Sequence, residues 1–227
     1  MPKREYAGPP RIAIIIDDIG FRDVLETQFI EIPEAITLSF LPHTPYGQNL
    51  ARRATIKGKE VMAHLPMEAI EPANRPGRGG LFVRMTPSEI RQLTSDGLDW
   101  VPGISGVNNH MGSRFTQDED KMALVMDLVK KKNLYFIDSR TIGASRAYAV
   151  AHRLGVPAAV RNVFLDHDPE TDKILHQFDV LAAVAKRQGV AIAIGHPNNN
   201  TLGALRRKLP DLARDGIRVV PPSSIVR

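Results

Sequence analysis

The chain has 227 residues and a formal net charge of +5 at pH 7, with 43% hydrophobic residues, 24% charged residues and no cysteine. A chain of this length is long enough for one large α/β domain, and we expect a short tail over residues 1–10 followed by a single domain over residues 11–227. Because cysteine is absent, disulfides, thiolate metal sites and cysteine nucleophiles are excluded. The chemistry must therefore come from carboxylates, imidazoles, hydroxyls and guanidinium groups.

The composition also bears on partners and location. No uninterrupted apolar segment approaches the length that crosses a bilayer, so we expect no membrane span in this chain, and the first ten residues lack the apolar stretch of a secretory signal. The basic runs at 130–132 and 206–208 fall near the ends of predicted helices, where the helix dipole favours them. Aromatic residues do not alternate with basic ones, so we expect no nucleic acid partner.

Strand and helix patterns alternate along the whole chain. Apolar, β-branched runs predict strands at 12–16, 35–40, 60–64, 104–110, 134–138, 159–165, 190–196 and 217–220. Amphipathic patterns predict helices at 21–30, 46–55, 86–99, 116–132, 145–154, 170–188 and 201–214. Seven or eight strands alternating with helices are typical of a parallel α/β architecture.

Three local signals refine this pattern. Capping boxes at Thr86-Pro87-Ser88-Glu89 and Thr116-Gln117-Asp118-Glu119 predict the starts of two helices. The segment 68–85 is rich in Pro and Gly, and it contains one further strand candidate at 81–83. A connection of that length inside a compact domain is usually functional or mobile, so we interpret this segment as a candidate lid.

Polar residues cluster at the carboxyl ends of the predicted strands. The residues at these positions are Asp17, Asp18, His43, His64, His110, Asp138, Asp166, His167 and His196. In a barrel such ends surround one mouth, whereas an open sheet spreads them along an edge. Convergence of the histidines favours a parallel (β/α) barrel of seven to eight strands, and the absence of Gly-x-Gly-x-x-Gly and Gly-Lys-Ser/Thr motifs argues against a nucleotide site.

Histidine and aspartate together suggest a divalent metal. One Asp and two His with open positions can hold such an ion, which then makes a bound water acidic enough to act near neutral pH. Spacing alone does not define a metal site, because the chain lacks His-x-His and His-Glu-x-x-His. We give His152 and His176, which lie inside predicted helices, a structural role, and we favour an exposed-loop position for His43.

Five motifs in order resemble a known family. Ile16-Asp17-Asp18-Ile19-Gly20 is similar to the first motif of the polysaccharide deacetylase superfamily, usually Thr-Phe-Asp-Asp-Gly. The other four are His64-Leu65-Pro66-Met67-Glu68, Asn109-His110-Met111-Gly112-Ser113-Arg114, Phe136-Ile137-Asp138-Ser139-Arg140 and Ile194-Gly195-His196-Pro197. The set resembles the divergent polysaccharide deacetylases over residues 11–226. The resemblance implies a distorted barrel, a glycan substrate and a place in the periplasm or cell envelope.

The resemblance also implies roles around a metal. In the superfamily the first Asp of the Asp-Asp pair is the base and the second binds the metal, which places these roles on Asp17 and Asp18. A His-x-x-x-His pair normally completes the site, but here the stretch that begins at His64 ends at Glu68. We therefore predict that His110 replaces the missing ligand, giving a site of Asp18, His64 and His110 for a divalent cation, with zinc as the first candidate.

The remaining roles are assigned on the same resemblance. The late Leu-x-His motif, matched by Ile194-Gly195-His196, supplies a general acid, so His196 is the candidate acid. The Arg-x-Pro-Tyr motif of the superfamily is not intact. Arg114 is the candidate catalytic residue in its place, either orienting a carboxylate or stabilising an oxyanion. A set of five further residues is predicted to contact the glycan or to support the site: Glu68, Asp138, Arg140, Asp166 and His167. For Asp138 and Asp166 a structural role fits equally well.

The resulting hypothesis is metal-assisted hydrolysis of the acetamido group of an N-acetylated sugar, with Asp17 aiding the water and His196 protonating the amine. Two alternatives stay open. The barrel could be a non-catalytic glycan-binding or envelope scaffold protein that retains the mouth, as the departure at Glu68 suggests. It could also be a metal-dependent phosphoesterase using Asp17 and Asp18, although the absence of a phosphate-binding Gly loop argues against this.

Overall fold

A computed structural model describes residues 8–227, so most of the predicted tail lies outside the described residues. The strands are β1 (Arg11–Ile19), β2 (Thr37–Phe40), β3 (Val61–Met67), β4 (Ile104–Met111), β5 (Tyr135–Asp138), β6 (Ala158–Val160), β7 (Val163–Phe164), β8 (Val190–Gly195) and β9 (Arg218–Val219). The helices are α1 (Asp23–Ile30), α2 (Gly47–Ile56), α3 (Pro87–Trp100), α4 (Glu119–Lys131), α5 (Ala147–Arg153), α6 (Thr171–Gln188) and α7 (Asn199–Arg214).

Every strand pair in the sheet is parallel. The order is β6-β5-β4-β3-β2-β1-β8-β7, and β9 pairs with the first two residues of β1. Helices connect most successive strands and cover the outer face of this curled sheet. The predicted parallel α/β barrel architecture is thereby confirmed, with eight strands in the main path.

The predicted strand 159–165 is in fact two strands at opposite edges of the sheet. β6 pairs with β5, and β7 pairs with β8. Between them, the Arg161 N–H donates to the Asp138 carbonyl at 3.0 Å and the Asn162 N–H donates to the Ile192 carbonyl at 2.8 Å. Within residues 8–227 no ladder joins β6 to β7, so the chain itself crosses between the two edges of the barrel. The apolar run predicted extended structure but not its change of partner.

The first strand is buried on both faces, as its apolar run predicts. Ile12, Ile14 and Ile16 pack with helix residues such as Phe29 between the sheet and the helices. Ala13 and Ile15 face the barrel interior, where they meet a smaller cluster that includes Tyr135, Ile137, Ile192 and Ile194. Burial of each large apolar side chain stabilises the fold by about 1.5–3 kcal/mol. The strand is thus a rigid base for the two acids at its end.

One predicted capping box is confirmed and the other is wrong. Thr86 accepts from the Glu89 N–H at 3.3 Å, and the Glu89 carboxylate accepts from the Thr86 N–H at 2.7 Å. At the second position the N-cap is Asp118, whose carboxylate accepts from the Lys121 N–H at 3.0 Å. Thr116 instead lies in a short 3-10 helix and donates to the Gly112 carbonyl at 2.8 Å, which delays the start of α4.

The segment 68–85 forms no additional full strand. Leu81 makes a single parallel bridge to Met67, because its N–H donates to the Pro66 carbonyl at 2.9 Å and its carbonyl accepts from the Glu68 N–H at 2.8 Å. These two hydrogen bonds fix Leu81, near the far end of the segment, to the end of β3. Pairing with β4 continues β3 to Met67, beyond its predicted end, so His64 lies inside the strand. In residues 8–227, none of the helices has the length and apolar character of a membrane span.

Candidate metal centre

The turn after β1 is held by a carboxylate that the sequence patterns did not single out. The buried Glu26 side chain of α1 accepts from the backbone N–H groups of Gly20 at 2.7 Å, Arg22 at 3.0 Å and Phe21 at 3.2 Å. Asp18 itself has a φ of 57°, a left-handed conformation that a non-glycine residue adopts infrequently. The chain therefore turns sharply at the motif, and the Asp18 carboxylate is presented to the mouth.

Asp18 lies between two histidines from neighbouring strands. Its Oδ1 atom is 2.9 Å from Nδ1 of His110 on β4 and 3.2 Å from Nε2 of His64 on β3. One ligand atom from each of the three side chains lies within 4.8 Å of the others. The structure thus brings together the three residues that the sequence predicted as metal ligands.

The environment of this cluster fits a divalent cation. Asp18 Oδ1 is buried, yet among the described residues it has no hydrogen-bond partner of acceptable geometry, although two imidazole nitrogens are close to it. Buried polar atoms normally have a hydrogen-bond partner. A buried carboxylate oxygen that lacks one and lies next to two imidazole nitrogens is the arrangement that a bound cation requires. A carboxylate and two imidazoles are ligands that zinc accepts, with positions left over for water or substrate.

The buried side-chain amide of Asn108, which none of the sequence motifs indicates, orients His64 and Asp17. Asn108 on β4 donates from Nδ2 to Asp17 Oδ1 at 2.8 Å, and its Oδ1 atom lies 2.7 Å from His64 Nδ1. The Ser39 hydroxyl on β2 donates to Asn108 Oδ1 at 2.7 Å. Because the ionised Asp17 can only accept, the amide nitrogen faces it, so His64 Nδ1 carries the proton and Nε2 keeps its lone pair. Two consecutive Asn residues within a buried strand were the available signal.

The pKa values of Asp17 and Asp18 shift in opposite directions because their surroundings differ. Burial raises the pKa of Asp17 above its ordinary value, and His64, His196 and Asn108 offset this only in part. Burial acts in the same direction on Asp18, but the imidazoles of His110 and His64 close to its carboxylate outweigh burial and lower the pKa of Asp18. Two adjacent carboxylates thus have opposite tendencies, one towards taking up a proton and the other towards staying ionised.

The same two carboxylates also shift the pKa of His64. Desolvation lowers its pKa, but the nearby charges of Asp17 and Asp18 outweigh desolvation, and the pKa of His64 is raised. A proton and a cation therefore compete for Nε2, as is usual for imidazole ligands.

His196 forms a second ionisable pair across the mouth. Its Nδ1 lies 2.9 Å from Asp166 Oδ1, and its Nε2 lies 3.8 Å from Asp18 Oδ2. Desolvation acts against the charged form, but the hydrogen bond and charge of Asp166 raise the pKa of His196 to about 9. Asp166 in turn accepts from the His196 backbone N–H at 2.6 Å and from the Thr201 hydroxyl at 2.8 Å. The imidazole thus has a fixed orientation, with Nε2 directed towards the cluster.

Arg161, on the crossing between the two sheet edges, is another residue that the motifs did not indicate. Its Nε donates to the Ser139 carbonyl at 2.7 Å, and the guanidinium lies 4.9 Å from the centre of the Phe164 ring. Burial lowers the pKa of Arg161, while the charges of Asp17 and Asp138 act in the other direction. This half-buried cation therefore contributes positive potential on the Asp17 side of the site.

Two predicted site residues lie in an adjoining cleft. Glu68 does not join the cluster, because its Oε2 accepts from the Val83 N–H at 2.7 Å and its Oε1 lies 3.5 Å from Nη1 of Arg114. Arg114 is more than half exposed and faces Glu68. The structure thus places Arg114 with Glu68, on the side of the segment 68–85.

The other predicted residues have separate positions. Asp138 is buried and accepts from the Arg140 N–H and the Ser145 hydroxyl, both at 2.8 Å, which fixes the loop before α5, while the Arg140 side chain is exposed. His167 is exposed beside the Phe164 ring. The remaining histidines lie outside the cluster: His43 is half-buried against Trp100, and His152 and His176 are exposed on α5 and α6.

The cluster opens into a mouth of about 420 Å³. Asp18, His110 and His196 line its floor, and Phe21 and the segment 75–77 form part of its rim. The mouth is therefore a concave site into which Asp18, His110 and His196 all project.

Comparison with known proteins identifies the family. The family model described as divergent polysaccharide deacetylase matches residues 14–226. The chain belongs to this family. The uncharacterized protein YibQ of Escherichia coli (strain K12) is 37% identical over 217 residues, which cover 95% of this chain and 67% of that protein.

Solved structures share the fold at low sequence identity. An uncharacterized protein from Agrobacterium tumefaciens C58 superimposes with a TM-score of 0.92 at 23% identity, covering 99% of this chain and 92% of that one. The catalytic domain of peptidoglycan N-acetylglucosamine deacetylase from Eubacterium rectale superimposes with a TM-score of 0.55 at 14% identity, covering 95% of this chain and 90% of that one. The curled parallel sheet is thus the architecture of carbohydrate deacetylases.

Proposed function

We propose that this protein is a metal-dependent hydrolase that removes N-acetyl groups from a glycan of the cell envelope, with zinc as the cation. The observation that carries the proposal is the unsatisfied Asp18 Oδ1 atom, which faces His64 Nε2 and His110 Nδ1 at the floor of the mouth. Membership of the family and the fold shared with a peptidoglycan deacetylase support the glycan substrate and the envelope location.

Asp18, His64 and His110 would hold the cation. When bound, a divalent cation supplies Lewis acidity, which makes water more acidic and polarises a carbonyl oxygen. The tautomer that Asn108 imposes on His64 keeps Nε2 available as a ligand atom. His110 needs no equivalent of the family's second histidine at position 68, because it approaches Asp18 from the neighbouring strand.

Asp17 has the properties of a general base. It is 2% exposed, and its raised pKa moves it towards the range in which a carboxylate can accept a proton from water. Asn108 occupies Oδ1, which fixes the carboxylate and leaves Oδ2 free of that bond. In this mechanism Asp17 Oδ2 takes the proton of the attacking water.

His196 has the properties of a general acid. Its raised pKa of about 9 keeps it protonated near neutral pH, and its Nε2 is the nitrogen that faces the cluster. As the C–N bond of the acetamido group breaks, the amine nitrogen must receive a proton, and His196 Nε2–H supplies it. Asp166 stabilises the protonated imidazole throughout and holds its orientation.

Acetate release tests this function directly. Zinc-supplied protein is expected to release acetate from N-acetylated glycans such as peptidoglycan fragments or N-acetylglucosamine oligomers, and chelation or Asp17→Asn is expected to abolish the release. Asp17→Asn should retain the cation, since Asp17 is not among its ligands, which separates the base from the binding site. Bound zinc with no acetate release from any of these glycans would contradict the proposal and favour the non-catalytic glycan-binding alternative.

A further inference from the structure

A second cleft lies directly beside the mouth. It has a volume of about 600 Å³ and is bounded by the segment 68–84 and by Arg114. The two cavities share Arg75, Pro76 and Gly77, so one stretch of backbone separates them. A molecule that crossed this stretch would contact both.

Cationic side chains outnumber anionic ones in the lining of this cleft. Four of its lining side chains are arginines, namely Arg75, Arg78, Arg84 and Arg114, and two are glutamates, Glu68 and Glu71. Glu68 is already engaged by the Val83 N–H and Arg114. Among residues 8–227 the guanidinium groups of Arg75, Arg78 and Arg84 form no ion pair and donate no hydrogen bond within the usual limits, and all three are exposed. Their charge is therefore available to a ligand.

Arg84 also has an aromatic support. Its guanidinium carbon lies 4.8 Å from the centre of the Phe82 ring, and both residues line the cleft. Stacking of this kind orients the plane of a guanidinium and leaves its N–H edge free to donate. A planar guanidinium edge is well suited to a carboxylate or phosphate.

The same strands connect the cleft to the cluster. Glu68 directly follows β3, four residues after His64, and Arg114 lies in the turn after β4, four residues after His110. Four residues span at most about 14 Å, so the Cα atoms of Glu68 and Arg114 lie within about that distance of the Cα atoms of His64 and His110. A short oligosaccharide spans such a distance.

We propose that this cleft binds an anionic substituent, a carboxylate or phosphate, of a glycan whose neighbouring acetamido group occupies the mouth. The second half of this statement rests on the proposed deacetylase function, whereas anion binding does not. Arg75, Arg78 and Arg84 contact the anion, and the substrate class is an acidic N-acetylated glycan in preference to a neutral one.

Calorimetric titration of the chelator-treated full chain tests the proposal, because no hydrolysis can then alter the ligand. The probes are a tetrasaccharide of alternating N-acetylglucosamine and glucuronate, the neutral tetrasaccharide of N-acetylglucosamine, and N-acetylglucosamine 6-phosphate. The triple variant Arg75→Gln, Arg78→Gln, Arg84→Gln is compared with the control triple Arg52→Gln, Arg187→Gln, Arg207→Gln. The control changes the net charge equally at exposed arginines outside both cavities.

At least one anionic probe is expected to bind about tenfold or more tightly than the neutral tetrasaccharide, with an affinity that falls as salt is added. The cleft triple should abolish this preference and the control triple should retain it. Preference for the uronate probe identifies a carboxylate, and preference for the phosphate probe alone identifies a phosphate. Equal affinity for charged and neutral probes, or an equal loss in both triples, would overturn the proposal. Arginine-dependent binding without acetate release by the zinc-supplied protein would contradict the deacetylase function alone.

Discussion

Asn108 Oδ1 lies 2.7 Å from Nδ1 of His64, inside the barrel and without contact with solvent. The same amide donates to Asp17, so one side chain sets the tautomer of a predicted metal ligand and the position of the predicted base. These hydrogen bonds satisfy a polar side chain in the middle of a buried strand. They also mean that metal binding and base position depend on a common residue.

Asn108→Ala is expected to weaken zinc binding by about 10- to 100-fold, because second-shell partners that orient a histidine ligand typically have effects of that size. The folded state should also lose about 1–3 kcal/mol, since His64 Nδ1 and Ser39 Oγ lose a buried partner. Competition with a zinc chelator measures the affinity, and urea unfolding measures the stability.

Ser39→Ala is the matched control for this variant. It removes the hydroxyl that donates to Asn108 Oδ1 but leaves the contact between Asn108 and His64. Zinc affinity should therefore change much less than in Asn108→Ala. Equal loss of zinc affinity in the two variants would show that the tautomer of His64 is set in another way.

His110→Ala is expected to remove a ligand and so to abolish stoichiometric zinc binding at neutral pH. Glu68→Gln should retain it, because the Glu68 carboxylate is directed to the Val83 N–H and Arg114. Zinc content after gel filtration, measured by inductively coupled plasma mass spectrometry, distinguishes the two. Unchanged zinc in His110→Ala, or its loss in Glu68→Gln, would contradict the ligand set of Asp18, His64 and His110.

The pair of His196 and Asp166 predicts a specific pH dependence. The folded-state pKa of about 9 lies above the ordinary value of 6.5, so the pair stabilises the fold fully below about pH 6.5 and loses this contribution as pH rises through about 9. In chelator-treated protein, the imidazole signals of His196 should titrate near pH 9 in an NMR experiment. Asp166→Asn should shift that titration towards 6.5.

Thr201→Val is the control for the Asp166 variant. It removes the hydroxyl that donates to Asp166 Oδ2 but keeps the carboxylate next to His196. The His196 titration should then stay well above its ordinary pKa. Titration near 6.5 in the unmodified protein would rule out Asp166 as the partner that holds the proton.

The glycine of the Ile-Asp-Asp-Ile-Gly motif is predicted to be structural. Gly20 has a φ of 137°, and a Cβ atom there would lie 2.0 Å from Oγ1 of the buried Thr44. Gly20→Ala is therefore expected to destabilise the fold by about 2–4 kcal/mol through strain and overpacking. Urea unfolding of the chelator-treated protein measures this loss independently of the cation.

Gly143→Ala provides the comparison, because a Cβ at Gly143 would meet no atom within 4 Å. Its stability should stay within about 0.5 kcal/mol of the unmodified protein. A similar small effect at Gly20 would mean that the turn after Asp18 can relax without loss.

Much of the barrel could be predicted from the sequence because buried parallel strands and amphipathic helices have distinct periods. The run 12–16 is a clear case, since a strand covered on both faces is apolar throughout. The split of 159–165 could not be predicted in this way, because the change of partner at Arg161 and Asn162 depends on strands distant in sequence.

The site was predictable to the extent that strand ends converge. Asp18, His64 and His110 come together because β1, β3 and β4 run in the same direction through one curled sheet. The direction of a long side chain at a strand end is set by local partners instead, which is why Glu68 and Arg114 face another cleft. The role of Asn108 depends on its contacts with His64 and Asp17, which a single sequence does not show.

An anomalous-scattering map of crystals grown with zinc near neutral pH tests the metal centre most directly. The proposed site predicts one strong zinc peak at about 2.0–2.2 Å from Asp18 Oδ1, His64 Nε2 and His110 Nδ1. An empty mouth at saturating zinc, or a peak that omits any of these three side chains, would contradict the proposed centre.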